Sequence, residues 1–93
     1  MWVGGLKVEL YISDGDSLKS KRSVIRSIKD RIRSNFNASV AEVGEQDKWQ
    51  RAVLGVAVVG PDKRELNSVL DKVLDSIRQN GQVEILSHDM EIL

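Results

Sequence analysis

The spacing of hydrophobic residues along this chain changes four times between a period of two residues, as in a strand, and a period of about 3.6 residues, as in a helix. The order of these changes constrains the fold. Residues 6–12 alternate between apolar and other side chains, which predicts a strand with one buried face. A turn at residues 13–16 and an N-cap at Ser17 follow it. The apolar side chains then recur at helical spacing, at Leu18, Ile25, Ile28, Ile32 and Phe36.

The second half of the chain continues with a hairpin and a second helix. Residues 38–43 and 49–59 have the character of two strands, and the polar segment 44–48 predicts the loop between them. The Gly-Pro-Asp segment at 60–62 stops the hairpin and starts a helix. The apolar side of that helix consists of Leu66, Val69, Leu70, Val73, Leu74 and Ile77.

A last strand is predicted at residues 83–93, with one irregularity. Val83 and Ile85 share one phase of the alternation, whereas Met90 and Ile92 share the other. A single extra residue in the strand would bring both pairs to the same face, so we predict a bulge or bend around residues 87–89.

The resulting order, β-α-β-β-α-β, predicts an α+β fold of the ferredoxin-like type, with residues 1–93 as a single domain. Right-handed crossovers place both helices on one face of a four-stranded antiparallel sheet. The other face is open and should carry Lys7, Glu9 and Tyr11, together with Val53 and Ala57 if the third strand has the matching phase. A partly apolar open sheet is a common dimer surface, and we therefore expect a homodimer.

Although the formal net charge of the chain is zero, the first predicted helix is basic and the rest of the chain is acidic. Residues 17–36 hold seven of the 14 Lys and Arg residues and one acid, Asp30, so this segment carries +6 and the rest of the chain −6. On a helical wheel five of these cations fall within an arc of about 80° and form a row roughly 20 Å long. They are Lys19, Arg22, Arg26, Lys29 and Arg33.

Two interpretations of this row remain open. Cations near the start of a helix oppose its dipole, which favours a role in binding nucleic acid or another polyanion. Alternatively, the row is a solvated face neutralised by acids of the second helix, namely Asp62, Glu65, Asp71 and Asp75. Lys21 lies on the apolar side of the wheel, so we expect it to snorkel along the edge of the core.

No residue arrangement predicts a reaction, a cofactor or a metal site. The dipeptide His88-Asp89 lacks the further ligands that a metal phosphohydrolase needs, and one histidine on a terminal strand is more often structural. Trp49 and Arg51 are a possible secondary contact, because a tryptophan beside an arginine can stack on a base, although capping of the hairpin is the commoner role. The sequence therefore predicts a protein that is not an enzyme.

The composition favours a reducing compartment, since there is no cysteine and thus no disulfide or thiolate chemistry. The first twelve residues alternate like a strand and include Lys7 and Glu9, which differs from a signal peptide. We expect a cytoplasmic protein that does not associate with membranes.

Three segments resemble the YlxP-like family of small bacterial proteins of unassigned function. They are SLKSKR at 17–22, FNASVAEV at 36–43 and DKWQRA at 47–52, the last followed by Leu54-Gly55. The resemblance implies a ferredoxin-like fold, in agreement with the periodicity. It also implies a connection to RNA or a ribosomal particle, because genes of the family commonly lie among those for translation initiation factor two and ribosome-binding factor A. It supplies no catalytic residues.

Two functional hypotheses follow. In the first, the protein binds RNA or a ribosomal particle through the five cations of the first helix. In the second, it is a dimerisation or protein-interaction module that uses the open sheet face and has no nucleic-acid role.

Overall fold

A computed structural model, which describes residues 1–13 and 16–93, contains six regular elements in the predicted order. They are β1 (Trp2–Ile12), α1 (Leu18–Asn35), β2 (Ser39–Gly44), β3 (Arg51–Gly60), α2 (Lys63–Arg78) and β4 (Val83–Ile92). The strands form one antiparallel sheet in the order β2-β3-β1-β4. This confirms the ferredoxin-like plait. The predicted turn at 13–16 falls partly on residues 14 and 15, which lie outside the described residues.

Both helices begin at capping residues that the sequence contains. The Ser17 side chain accepts a hydrogen bond from the Ser20 backbone N–H at 3.1 Å, as the predicted N-cap requires. Asp62 caps α2 in the same way and accepts from the Arg64 N–H at 2.9 Å. Each cap satisfies a backbone donor that the first helical turn leaves without a partner.

The core lies between the helices and one face of the sheet, and aliphatic side chains dominate it. The central strands supply alternate residues to it, because successive side chains of a strand point to opposite faces. Fully buried positions include Val8, Leu10, Ile12, Leu54 and Leu70. Aromatic side chains contribute little, since Phe36 is only partly buried against the core.

The irregularity predicted in the last strand is a bulge, and it lies one residue before the predicted segment. Glu9 of β1 pairs with Ser87, whereas the next residue, Leu10, pairs with Ile85. Leu86 is thus the extra residue, and it is exposed. The bulge restores the phase of the strand, because the four apolar residues on its two sides all pack against the core: Val83, Ile85, Met90 and Ile92.

Deletion of Leu86 is expected to preserve the fold and to lower the free energy of unfolding by about 1 kcal/mol or less. Without this residue the strand alternates regularly, and Ile85 and Ser87 keep their present partners on β1. Urea denaturation followed by circular dichroism measures the change. Deletion of Lys7 from the central strand is the control, because it would turn half of that strand to the wrong face and should unfold the protein. Unfolding of the Leu86 deletion variant would contradict this account of the bulge.

Candidate nucleic-acid interface

The five cations of α1 form one surface, which we call the basic stripe: Lys19, Arg22, Arg26, Lys29 and Arg33. All are exposed except Lys29, which is half-buried. The helix buries a different part of its circumference, where Val24, Ile25, Ile28 and Ile32 face the sheet. The stripe therefore flanks the buried side of the helix, as the helical wheel predicts.

Two arginine contacts show how the stripe is oriented relative to α2 and β2. Arg33 donates a hydrogen bond to the Val40 carbonyl on β2 at 3.0 Å, whereas Arg31, on the other side of the helix, donates to the Gln79 side chain after α2 at 2.9 Å. The stripe thus faces away from α2 and toward β2. Because β2 is an edge strand of the sheet, the stripe borders solvent along its length.

The acids of α2 do not neutralise the stripe. Asp75 pairs with Arg78 of its own helix at 3.0 Å, Asp71 lies 3.4 Å from the Asn67 amide nitrogen, and Asp62 serves as the cap. Within residues 1–13 and 16–93, no carboxylate oxygen lies within 4.0 Å of a nitrogen of the five stripe cations. The pairing proposed as the alternative interpretation is therefore absent from the described part of the chain.

Lys21 does not snorkel, contrary to our expectation. Its side chain is 1% exposed, and its ammonium nitrogen lies 2.9 Å from Glu42 Oε2 and donates to the Glu45 carbonyl. Glu42 projects from the helix-facing side of β2 with a side chain that is 19% exposed. The buried charge is thus compensated by a carboxylate instead of by water. This ion pair joins the first turns of α1 to the end of β2.

The Glu45 carbonyl also organises the loop between β2 and β3. It accepts a hydrogen bond from the Lys48 N–H at 3.2 Å, and the Glu45 carboxylate pairs with the Lys48 ammonium at 3.1 Å. Glu45 itself has a φ of 58°, in the left-handed region that a tight turn uses. Lys21 of α1 is therefore connected through its side chain to the turn that Glu45 and Lys48 form.

Trp49 follows this turn directly and is 54% exposed. The predicted strand start at residue 49 was two residues early, since β3 begins at Arg51 and Trp49 belongs to the loop. Arg51 is engaged elsewhere, because its guanidinium pairs with Glu9 on β1 at 2.9 Å. Of the two predicted secondary contacts, Trp49 has the more accessible side chain.

The open sheet face has the predicted composition. Val53 and Ala57 of β3 pair with Glu9 and Gly5 of β1, so these positions belong to the sheet face away from the helices. Val53 is buried, whereas Ala57 is exposed. A shallow concavity of about 470 Å³ lies on this face. Its lining combines small residues with three charged ones and Val43: Gly5, Ser39, Ala41, Gly55 and Ala57, together with Lys7, Asp89 and Glu91.

His88 and Asp89 do not form a joint site. His88 pairs with the buried Val8, whereas Asp89 pairs with Lys7 and points to the open face. Adjacent residues of a strand face opposite sides of the sheet. In the described part of the chain, no group of three or more His, Cys, Asp or Glu side chains is arranged to hold a metal ion.

Comparison with known proteins assigns this chain to a family. A family model described as a protein of unknown function, DUF503, matches residues 3–90. The chain belongs to the DUF503 family. The uncharacterized protein YlxP of Bacillus subtilis (strain 168) is 37% identical to it over 82 residues, which cover 88% of this chain and 89% of that protein.

One solved structure shows the fold that this DUF503 member shares. An X-ray structure of an EAL/GGDEF domain protein from M. capsulatus superposes with a TM-score of 0.50 at 18% identity. The match covers 96% of this chain and 62% of that one. At this level of identity the comparison supports the fold alone. Within the described residues, no helix is long and apolar enough to cross a membrane.

The residues that sequence reasoning missed are Glu42 and Glu45. A signal for them existed, since Lys21 on the apolar side of a helix requires a buried partner. The sequence contains several acids after the helix, and only the pairing of β2 with β3 selects the one that faces Lys21.

Proposed function

We propose that this DUF503 protein is a non-enzymatic RNA-binding protein that docks on RNA or a ribosomal particle through the basic stripe. One observation carries the proposal. The stripe is a row of cations along a solvent-exposed flank, and no carboxylate among the described residues lies within ion-pair distance of it.

The stripe lowers the stability of the folded protein, and this supports a role in binding. Lys19 lies in the first turn of α1, where the helix dipole disfavours a cation by about 0.3–1 kcal/mol, and that turn contains no acid. Neighbouring cations four residues apart, such as Arg22 and Arg26, also repel each other. A polyanion would remove both penalties, because its phosphates neutralise the row.

A salt titration tests the proposal. We expect binding to single-stranded RNA with a slope of log affinity against log salt of about −3.5, because five cations would neutralise five phosphates. Affinity should then fall about a hundredfold as salt rises from about 50 to about 200 mM. Fluorescence anisotropy with end-labelled RNA, and pelleting with purified ribosomal subunits, provide the measurement. Absent binding at low salt, or a flat salt response, would refute the proposal.

A second candidate is a homodimer formed through the open sheet face. The supporting observation is the shallow concavity, whose lining includes several small residues and the 57% exposed Val43. A partner sheet could approach this face closely where the residues are small. If the titration shows no RNA binding while sedimentation shows a dimer that depends on concentration, this candidate replaces the first.

A further inference from the structure

We infer that the RNA recognised by this protein is single-stranded, and that Trp49 stacks on an unpaired base beside the basic stripe. The inference rests on the proposed function and deepens it by naming the class of ligand and a second contact. It depends on three features: the exposure of Trp49, the position of its loop and the state of the charges around it.

Trp49 differs from the other tryptophan of the chain. Trp2 lies in β1, is 38% exposed, and has the Lys63 ammonium 5.5 Å from the centre of its ring. Trp49 lies in the hairpin loop, is 54% exposed, and is not covered by a cation of the described residues. An aromatic ring that keeps this much of its surface accessible after folding offers a flat face on which a planar partner can stack.

The loop of Trp49 is tied to the helix that carries the stripe. Lys21 immediately precedes the stripe residue Arg22, and its ammonium group binds the Glu45 carbonyl. The same carbonyl accepts the Lys48 N–H at 3.2 Å, and Lys48 immediately precedes Trp49. This chain of contacts places the loop that carries Trp49 at the N-terminal end of α1, the end at which the stripe begins. Lys21 acts here as a positioning residue.

Two of the four acids around this corner are paired with lysines, which reduces their repulsion of a phosphate. The Glu42 carboxylate lies against Lys21, and that of Glu45 against Lys48. Asp16 accepts a hydrogen bond from the Ser20 hydroxyl at 2.7 Å. Asp47 is exposed, and the described contacts give it no ion pair. The corner thus combines cations, an accessible ring and four carboxylates, two of which are compensated by lysines.

This combination fits a single strand better than a duplex. A row of cations follows a phosphate backbone, and an aromatic ring accepts any base that is free to stack on it. Bases in a duplex are already stacked on one another, so a ring on the surface cannot reach their faces. The stripe alone would bind both forms, whereas Trp49 adds affinity only for the single strand.

The test compares Trp49→Ala with the unaltered protein on two labelled probes, a uridine homopolymer and a self-complementary RNA duplex. Trp49→Ala should weaken binding to the homopolymer about tenfold and leave the duplex affinity and both salt slopes unchanged. Trp49→Phe should retain most of the affinity, because a phenyl ring also stacks. In a Trp2→Phe background, where Trp49 is the remaining tryptophan, the homopolymer should quench its fluorescence. Thermal unfolding confirms that each variant is folded.

The outcomes separate this inference from the proposed function. Salt-dependent RNA binding that Trp49→Ala leaves unchanged would overturn the stacking inference and keep the stripe as the binding surface. Equal weakening on both probes would also overturn it, since a stacking contact distinguishes them. Absence of binding to either probe would overturn the proposed function, and the inference with it.

Discussion

Reversal of Lys19, Arg22 and Arg26 to Glu is expected to weaken RNA binding about a hundredfold or more at low salt. Three phosphate contacts would be lost and replaced by repulsion. The salt slope should fall to about −1.4, the value for the two remaining cations of the stripe. Anisotropy titration of the variant against the same RNA measures both quantities.

This variant should remain folded, which makes the result interpretable. All three side chains are exposed, and Arg33 keeps its hydrogen bond to the edge strand because it is not altered. Glutamates near the start of α1 are also favoured by the helix dipole. Circular dichroism and the midpoint of thermal unfolding provide the check.

A matched control distinguishes the stripe from net charge. The variant with Lys63, Arg64 and Lys72 of α2 changed to Glu has the same net charge, and these three residues are also exposed. Its RNA affinity should stay within a few-fold of that of the unaltered protein, because the stripe on α1 faces away from α2. An equal loss in both variants would show that overall charge, and not the stripe, governs binding.

Replacement of Lys21 by Met is expected to lower the free energy of unfolding by about 3 kcal/mol. Met preserves most of the apolar volume but removes the ammonium group. The Glu42 carboxylate, only 19% exposed, would then lose its counter-ion, and the Glu45 carbonyl would lose one of its two donors. Chemical denaturation at constant pH gives the change.

The double variant Lys21→Met with Glu42→Leu is the control for this result. It removes both charges, so no unpaired carboxylate remains buried, and most of the stability should return. A single variant that loses less than about 1 kcal/mol would contradict the assignment of Lys21 as a buried, compensated cation. A double variant as unstable as the single one would show that packing, and not charge, is what Lys21 provides.

Much of the fold could be predicted from local patterns. The alternation in β1 and the helical spacing in α1 depend on residues near one another in the chain, and so does the Ser17 cap. Even the bulge was implied by the phase slip between Ile85 and Met90. Its position was misplaced by one residue, because several positions between them would restore the phase equally well.

For the candidate site, too, one part follows from local patterns and the other depends on tertiary contacts. The basic stripe follows from spacing along one helix, so its five members could be named from the wheel. Whether acids neutralise it depends on which flank of α1 faces α2, and no local pattern carries that information. The roles of Glu42 and Glu45 depend on contacts between residues more than twenty positions apart.

The sequence by itself determined the order of the elements, the buried face of each one and the row of cations, because periodicity and side-chain chemistry act over a few residues. Only the tertiary structure decided which charges are compensated and which are free. It buried Lys21 against Glu42, left Arg22 and Arg26 exposed to solvent, and placed Trp49 directly after a turn that contacts α1. The physical reason is that charge compensation depends on distances through space, which strand pairing and helix packing set.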